Sequence, residues 1–286
     1  MAKYRKILVA YDGSASARNA LAEAAKLADR DKSWIKVLAV IPPYEGDLEL
    51  IGVSDIKATI EGAGSKLIAE AKEIAEGAGV HVLADLSQGE PYERIVHVAE
   101  DENCDLIIMG RRGRTHVERE LVGGVTARVI GHTDRDVLVI PKTAHIGWDT
   151  VLVATDGSDY SRAAEDKAVE IAKERGSKLL VLSVVYTNDE FYALASKAVE
   201  ELMHKAHDLV DTVCERAQAQ GISCEPQVVG GEPFQAICDT AAEKQASLIV
   251  MGTHGRKGLT RLLMGSVTEH VIGLANCPVM VSHLKR

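Results

Sequence analysis

The stretch "MGTHGRKGLTRLLMGSV", Met251 to Val267, has an imperfect twin upstream in "MGRRGRTHVERELVGGV", Met109 to Val125. Three glycines keep one frame in both, Gly252, Gly255 and Gly265 in the later copy and Gly110, Gly113 and Gly123 in the earlier. Each frame follows a short apolar run, "SLIVMG" from Ser247 or "DLIIMG" from Asp105, and leads into a segment of helical pattern. Strand, glycine-marked turn and helix in that order make the βα junction of a parallel sheet. The copies part where the later one has Gly265-Ser266 and the earlier has Gly123-Gly124.

Outward from this frame the repetition takes in nearly the whole chain. "KILVAYDGSASARNALAEAAKLA" from Lys6 matches "TVLVATDGSDYSRAAEDKAVEIA" from Thr150, and "QGEPYERIVHVAE" from Gln88 matches "GGEPFQAICDTAA" from Gly230. Repetition on this scale predicts two domains, 1–143 and 147–286, joined near "PKTAHIGWD", Pro141 to Asp149. A chain of 286 residues suits two cores better than one.

Each copy alternates apolar runs with amphipathic segments. In the first, a strand at Ile7–Ala10 precedes a helix with Ala20, Leu21, Ala24 and Leu27 on one face and Ser14 in the N-cap place. A strand at Val37–Ile41, the loop prolines Pro42 and Pro43, and a helix over Asp55–Glu76 follow. Then come a strand at Val82–Leu86, a helix opened by Pro91, a strand at Leu106–Met109, the glycine frame, a helix over Val122–Gly131 and a strand at Val137–Ile140. The second copy repeats the plan with a long helix over Phe191–Gln220. Near-continuous apolar strands between helices predict two tandem doubly wound, Rossmann-like α/β domains. Each has a five-stranded parallel sheet, order 3-2-1-4-5, with helices on both faces.

Composition narrows the function. Aromatics make up only 4% of residues, so the core is built from Ala, Val, Leu and Ile. A net charge of −9 excludes the basic footprint that nucleic acid requires. No apolar run approaches the ~20 residues of a membrane span. The start "MAKYRKILVAYDGS" enters a strand without a leader pattern. Five cysteines, Cys104, Cys214, Cys224, Cys238 and Cys277, show no C-x-x-C pair. That odd, scattered set predicts reduced thiols and a cytoplasmic protein.

Sheets of this kind bind ligands beyond the carboxyl ends of their strands, where strand order reverses. With strand one beside strand four, Asp12 or Asp156 and the glycine frame converge there. Glycine allows positive φ and close approach of backbone to a ligand, and a helix N-terminus offers N–H groups to phosphate. Ser266 adds a hydroxyl, and Asp156 an acceptor for sugar hydroxyls. The same residues also have plain structural roles: glycines as βα turns, Ser266 as a cap and the aspartates as helix-entry turns.

His204 and His207, with Asp208 and Asp211, have i,i+3 spacing open to a metal, but exposed helix-face histidines among charges are far commoner. The P-loop and G-x-G-x-x-G patterns are missing. Ser14 and Ser158 have no histidine at nucleophile spacing and are assigned as caps.

The order V-A-T-D-G-S, G-E-P, M-G-T-H-G-R-x-G-L-x-R-L-L-x-G-S-V and C-P-V-M-V resembles the universal stress protein family in its tandem form. In that family G-x2-G-x9-G-S/T is the ATP-binding signature. The resemblance implies ATP, with AMP or ADP as variants and Mg²⁺ as companion, lying across the second switch point. It assigns Ala154 and Val184 to the adenine, Thr155 and Asp156 to the strand end and ribose, and Met251 and Gly252 to the sugar side. Gly255, Arg256, Gly265, Ser266 and Val267 take the phosphates.

A weaker second site would comprise Ala10, Asp12, Val40, Met109, Gly110, Gly113, Gly123, Gly124 and Val125. There Gly124 replaces the hydroxyl, and Glu118 and Glu120 stand where the other copy has Thr260 and Leu262. Arg111, Arg112 and Arg114 offset those carboxylates. The resemblance implies a regulatory stress protein acting through an unknown protein partner, with slow ATP hydrolysis or self-phosphorylation at most. It also implies last strands Val137–Ile140 and Val279–Ser282 pairing into an intramolecular pseudo-dimer, with further homodimerisation. The alternative is a nucleotide-independent interaction or lipid-binding scaffold on the same fold.

Overall fold

The computed structural model describes residues 4–43, 56–113, 121–255 and 264–284. It divides into unit 1, Met1–Thr143, and unit 2, Ala144–Arg286.

Unit 1 runs β1 (Lys6–Ala10), α1 (Ala15–Asp31), β2 (Trp34–Ile41), α2 (Ile56–Gly77), β3 (Leu83–Gln88), α3 (Pro91–Asp101), β4 (Leu106–Gly110), α4 (Gly124–His132) and β5 (Asp136–Ile140). Its strands lie in the order β3-β2-β1-β4-β5, every pair parallel. Unit 2 repeats the series as β6 (Thr150–Ala154), α5 (Asp159–Arg175), β7 (Lys178–Val185), α6 (Asp189–Gln218), β8 (Cys224–Gly230), α7 (Pro233–Glu243), β9 (Leu248–Gly252), α8 (Ser266–Leu274) and β10 (Val279–Ser282). Its strands lie as β10-β9-β6-β7-β8, also parallel, so both units have the order 3-2-1-4-5 that the sequence predicts.

The central strands are apolar because helices cover both faces, α1 packing on α2 and α3 on α4. Ile7, Leu8, Leu106, Ile107 and Leu138 of unit 1, and Leu152, Leu179, Leu248 and Ile249 of unit 2, are fully buried. Truncating one of these to Ala costs about 2–5 kcal/mol. Helix starts follow local chemistry. Ser14 Oγ accepts from Ala17 N–H at 3.1 Å, Ser158 Oγ from Ser161 N–H at 3.2 Å, and Pro91 and Pro233 open α3 and α7. The long α6 is interrupted at Ala195, whose φ of −141° and ψ of 40° are non-helical. No described helix is long and apolar enough to cross a membrane.

The cysteines depart from expectation. Cys214 near the end of α6 and Cys224 at the start of β8 form a disulfide, with Cα atoms 5.4 Å apart. They stand ten positions apart in sequence, across a helix end, a turn and a strand start that fold back on themselves. Cys104, Cys238 and Cys277 remain thiols. Burial pushes the last two up to about 11, which keeps them unreactive.

Candidate functional site at the strand-order switch

Strand order reverses between β1 and β4 in unit 1 and between β6 and β9 in unit 2. The first strand of each pair ends in a D-G-S turn. Asp156 Oδ1 accepts from Ser158 N–H at 3.0 Å, and Asp12 Oδ1 from Ser14 N–H at 2.9 Å. Gly157 and Gly13 between them take φ of 76° and 73°, the left-handed region that glycine enters without penalty. One oxygen of each carboxylate therefore builds the turn, as the structural reading requires. The other faces across the switch: a Cβ added at Gly255 would lie 2.7 Å from Asp156 Oδ2, and one at Gly113 2.7 Å from Asp12 Oδ2.

The remaining frame glycines have backbone neighbours. A Cβ on Gly252 would stand 2.5 Å from the Tyr160 carbonyl oxygen, and one on Gly110 2.7 Å from the Ser16 carbonyl carbon. The strand four exit thus lies directly against the first turn of the helix after strand one. Gly265 N–H donates to Thr253 O at 2.9 Å, and Gly123 N–H to Arg111 O at 3.0 Å, a neck that ties each helix entry back to its strand exit. A side chain at Gly265 would press on that Thr253 oxygen at 3.2 Å. None of the six frame glycines takes positive φ. The expectation of positive φ is corrected: backbone crowds a side chain at Gly252, Gly110 and Gly265 and the aspartate carboxylates crowd one at Gly255 and Gly113, while Gly123 has only ordinary contacts from 3.4 Å.

Past the neck, α8 starts at Ser266 with Gly265 as N-cap, and α4 at Gly124 with Gly123 as N-cap. Neither cap has a side chain to bond, so the first-turn N–H groups at the positive end of the dipole lack an intrahelical acceptor. Thr268 Oγ1 donates to Gly252 O at 3.0 Å and Thr126 Oγ1 to Gly110 O at 3.1 Å, pinning each helix to its strand end. Ser266 is exposed; so is Gly124, where an added Cβ would meet nothing within 4 Å.

The structure brings Asp156, Gly252, Gly255 and Gly265 to one end of the unit 2 sheet, with Ser266 and Val267 opening the helix there. Ala154, Val184 and Val267 are half-buried, and Met251 is buried below them. In unit 1 Ala10 and Met109 are buried, Val40 is half-buried and Val125 is exposed. Thr155 is buried and its hydroxyl is turned away into the unit. Arg256, Thr260 and Leu262, and in unit 1 Arg114, Glu118 and Glu120, lie outside the described residues. In their neighbourhood Arg112 Nε donates to Leu121 O at 3.4 Å, and burial, then the Arg112 charge, lower the Arg111 pKa.

A polar connection beneath the Asp156 turn escaped the sequence reading. Glu165 of α5 is only 3% exposed. Its Oε1 accepts from the Thr155 hydroxyl at 2.5 Å, and its Oε2 meets Arg216 Nη2 of α6 at 3.0 Å. Burial raises its pKa, while the Thr155 hydrogen bond and the Arg216 charge oppose that shift. The only sequence signal is a glutamate between Ala164 and Ala168 on the buried face of a helix.

A cleft of about 490 Å³ opens where Thr187 and Gly230, past or at the ends of β7 and β8, face Tyr192, Val199, Met203, His204 and His207 of α6. Among the described residues no group of three His, Cys, Asp or Glu side chains could hold a metal.

Two doubly wound α/β units, each with a carboxylate, a necked loop and an open helix N-terminus at its switch point, define the class to which this chain belongs. The sequence model of the Universal stress protein family matches residues 3–141 and again 147–283, and the chain belongs to that family. It is 36% identical to a universal stress protein of Methanocaldococcus jannaschii over 139 residues, 47% of this chain and 81% of that one. It is 25% identical to a universal stress protein of Mycolicibacterium smegmatis over 288 residues, 96% of each. A universal stress protein from Archaeoglobus fulgidus has the same fold, with TM-score 0.75 at 23% identity over 97% of this chain and 96% of that one.

Proposed function

We propose that unit 2 binds an adenine nucleotide, ATP before ADP or AMP, and that the chain serves a stress response through nucleotide-dependent conformation or partner binding. The observation carrying this reading is the pairing of Asp156 Oδ2, held against the Gly255 backbone, with the open N-terminus of α8 beyond the neck. The carboxylate accepts from ribose hydroxyls. The first-turn amides of α8 and the Ser266 hydroxyl donate to phosphate oxygens, with the helix dipole favouring the negative charge. Ala154 and Val184 flank the base, and Met251 and Gly252 floor the sugar. The donor set suits a nucleotide, because an acceptor at the end of β6 and donors at the start of α8 stand at the same switch. Mg²⁺ would come with the phosphates, as it commonly does, through few protein ligands. Binding rather than turnover is the proposed activity.

The test is mass spectrometry of the full-length protein for co-purified nucleotide, followed by calorimetric titration with Mg·ATP. One site per chain, weakened about 10–100-fold in Asp156→Ala, is expected. Absence of binding in both measurements, with the fold intact, overturns the reading and leaves the nucleotide-independent scaffold.

A further inference from the structure

We infer that Cys214–Cys224 is a reversible thiol–disulfide site whose state is passed to the Asp156 turn through Arg216, Glu165 and Thr155. The disulfide ties the last turns of α6 to the first residue of β8. Cys214 is 3% exposed, whereas Cys224 is half-buried, so an attacking thiolate approaches from the Cys224 side. The enclosed segment turns at Gly221, with φ of 79°, and closing it restricts how the end of α6 can shift against the sheet.

Arg216 stands two residues beyond Cys214. Its guanidinium reaches Glu165 Oε2 at 3.0 Å and Asp166 Oδ1 at 3.4 Å. Glu165 in turn takes the Thr155 hydroxyl, and Thr155 Oγ1 accepts from Gly157 N–H at 3.2 Å. Gly157 follows Asp156 in the turn that aims the carboxylate. The helix from Cys214 to Arg216 and the contacts from Arg216 through Glu165 and Thr155 to Gly157 therefore join the disulfide to the switch point. A buried carboxylate that loses its guanidinium partner has reason to rearrange. The described residues of unit 1 hold no disulfide at the matching place, and its ion pair between α1 and α2 is Arg18–Glu70, beside Tyr11. Aligned on the matched D-G-S segments, Tyr11 and Leu21 stand for Thr155 and Glu165. Aligned on the paired turn glycines Gly79 and Gly221, Lys72, Ile74 and Val82 stand for Cys214, Arg216 and Cys224.

The chemistry needs a low-molecular-weight thiol of the glutathione class and its disulfide. One thiolate attacks Cys224 Sγ, and the S–S electron pair leaves on Cys214 Sγ, which takes a proton. A second thiolate attacks the reductant sulfur of the mixed disulfide and releases Cys224 as thiolate, which is then protonated. Two electrons pass to the protein, and one small-molecule disulfide is formed.

The effect on ligand rests on the nucleotide reading of unit 2, so the experiment has separate readouts. Full-length protein is equilibrated in glutathione buffers of graded redox ratio, quenched, alkylated and mapped by peptide mass. Hydrogen exchange at 155–158 and Mg·ATP affinity are measured on the same samples. Expected are paired alkylation of Cys214 and Cys224 as the ratio becomes reducing, faster exchange at the turn, and an affinity loss of about five-fold. Arg216→Gln should abolish the difference between the two states. The double change Cys214→Ser, Cys224→Ser should match the reduced form. A pair that stays oxidised at every ratio, or a turn whose exchange ignores the redox state, overturns the inference. If neither state binds ATP while turn exchange still follows the disulfide, the nucleotide reading falls and the redox link stands.

Discussion

The two units share a backbone plan down to individual hydrogen bonds, yet they differ in what they present at the switch. Both hold an aspartate oxygen 2.7 Å from where a Cβ would sit on the facing glycine, and both neck the following loop with one backbone bond. The glycine frame alone therefore does not report binding. In unit 1 Gly110 and Gly113 meet close neighbours whatever the ligand, while Gly123 has only ordinary contacts from 3.4 Å. The difference lies outside the frame, in Ser266 against Gly124 and in Thr155, Glu165 and Arg216 against Tyr11, Leu21 and Ile74.

The sharpest way to break this comparison is at the aspartates. Asp156→Ala in the full chain should weaken Mg·ATP binding by about 10–100-fold, the worth of a charge-assisted hydrogen bond or two. Asp12→Ala should leave stoichiometry and affinity unchanged by calorimetry. A larger loss from Asp12→Ala would reverse the assignment of the units. Next in size, Gly252→Ala and Gly110→Ala should both lower thermal stability, each by about 1–3 kcal/mol, because the new methyl meets backbone. Calorimetric melting that spared one of them would show that its strand and helix give way more easily than their shared geometry implies.

A smaller effect is expected at the helix entry. Ser266→Gly should cost about five- to ten-fold in affinity, with melting nearly unchanged. Gly124→Ser, which an open surround tolerates, should create or tighten binding in unit 1. Smallest is a contrast in pH dependence. The Lys36 and then the Lys6 ammonium hold Glu102 of unit 1 below the usual carboxylate range. Its contribution to stability is therefore present above its unfolded pKa of about 4.3 and lost as pH falls through the lower folded value. Burial holds Glu165 of unit 2 above that range, so stability falls as pH rises from the unfolded value through the folded one. Glu102→Gln should flatten the acid limb of a denaturant–pH series and Glu165→Gln the limb above it. Slopes of equal sign would sink the contrast.

The fold was legible because period, caps and turn residues all act locally. Ser14, Ser158, Pro91 and Pro233 mark helix starts that the structure keeps, and the apolar runs name the strands to within a few residues. The site was legible only as a set of positions. The frame glycines look ligand-facing in sequence, but their close contacts to Tyr160, Asp156 and Thr253 emerge only when helix, turn and strand are stacked. The link from Thr155 to Arg216 spans three elements, and Glu165 resembles any charge on an amphipathic helix. The disulfide was hidden because its spacing matches no ligand or redox motif and becomes meaningful only once α6 and β8 fold back together.

The neck closed by Gly265 N–H on Thr253 O is made of main-chain atoms alone. Whatever residues occupy the enclosed stretch, the bond that seals it never consults them. Substituting the Thr253 side chain therefore leaves the tie in place, whereas proline at 265, which lacks the amide, would open it without removing a single side-chain contact.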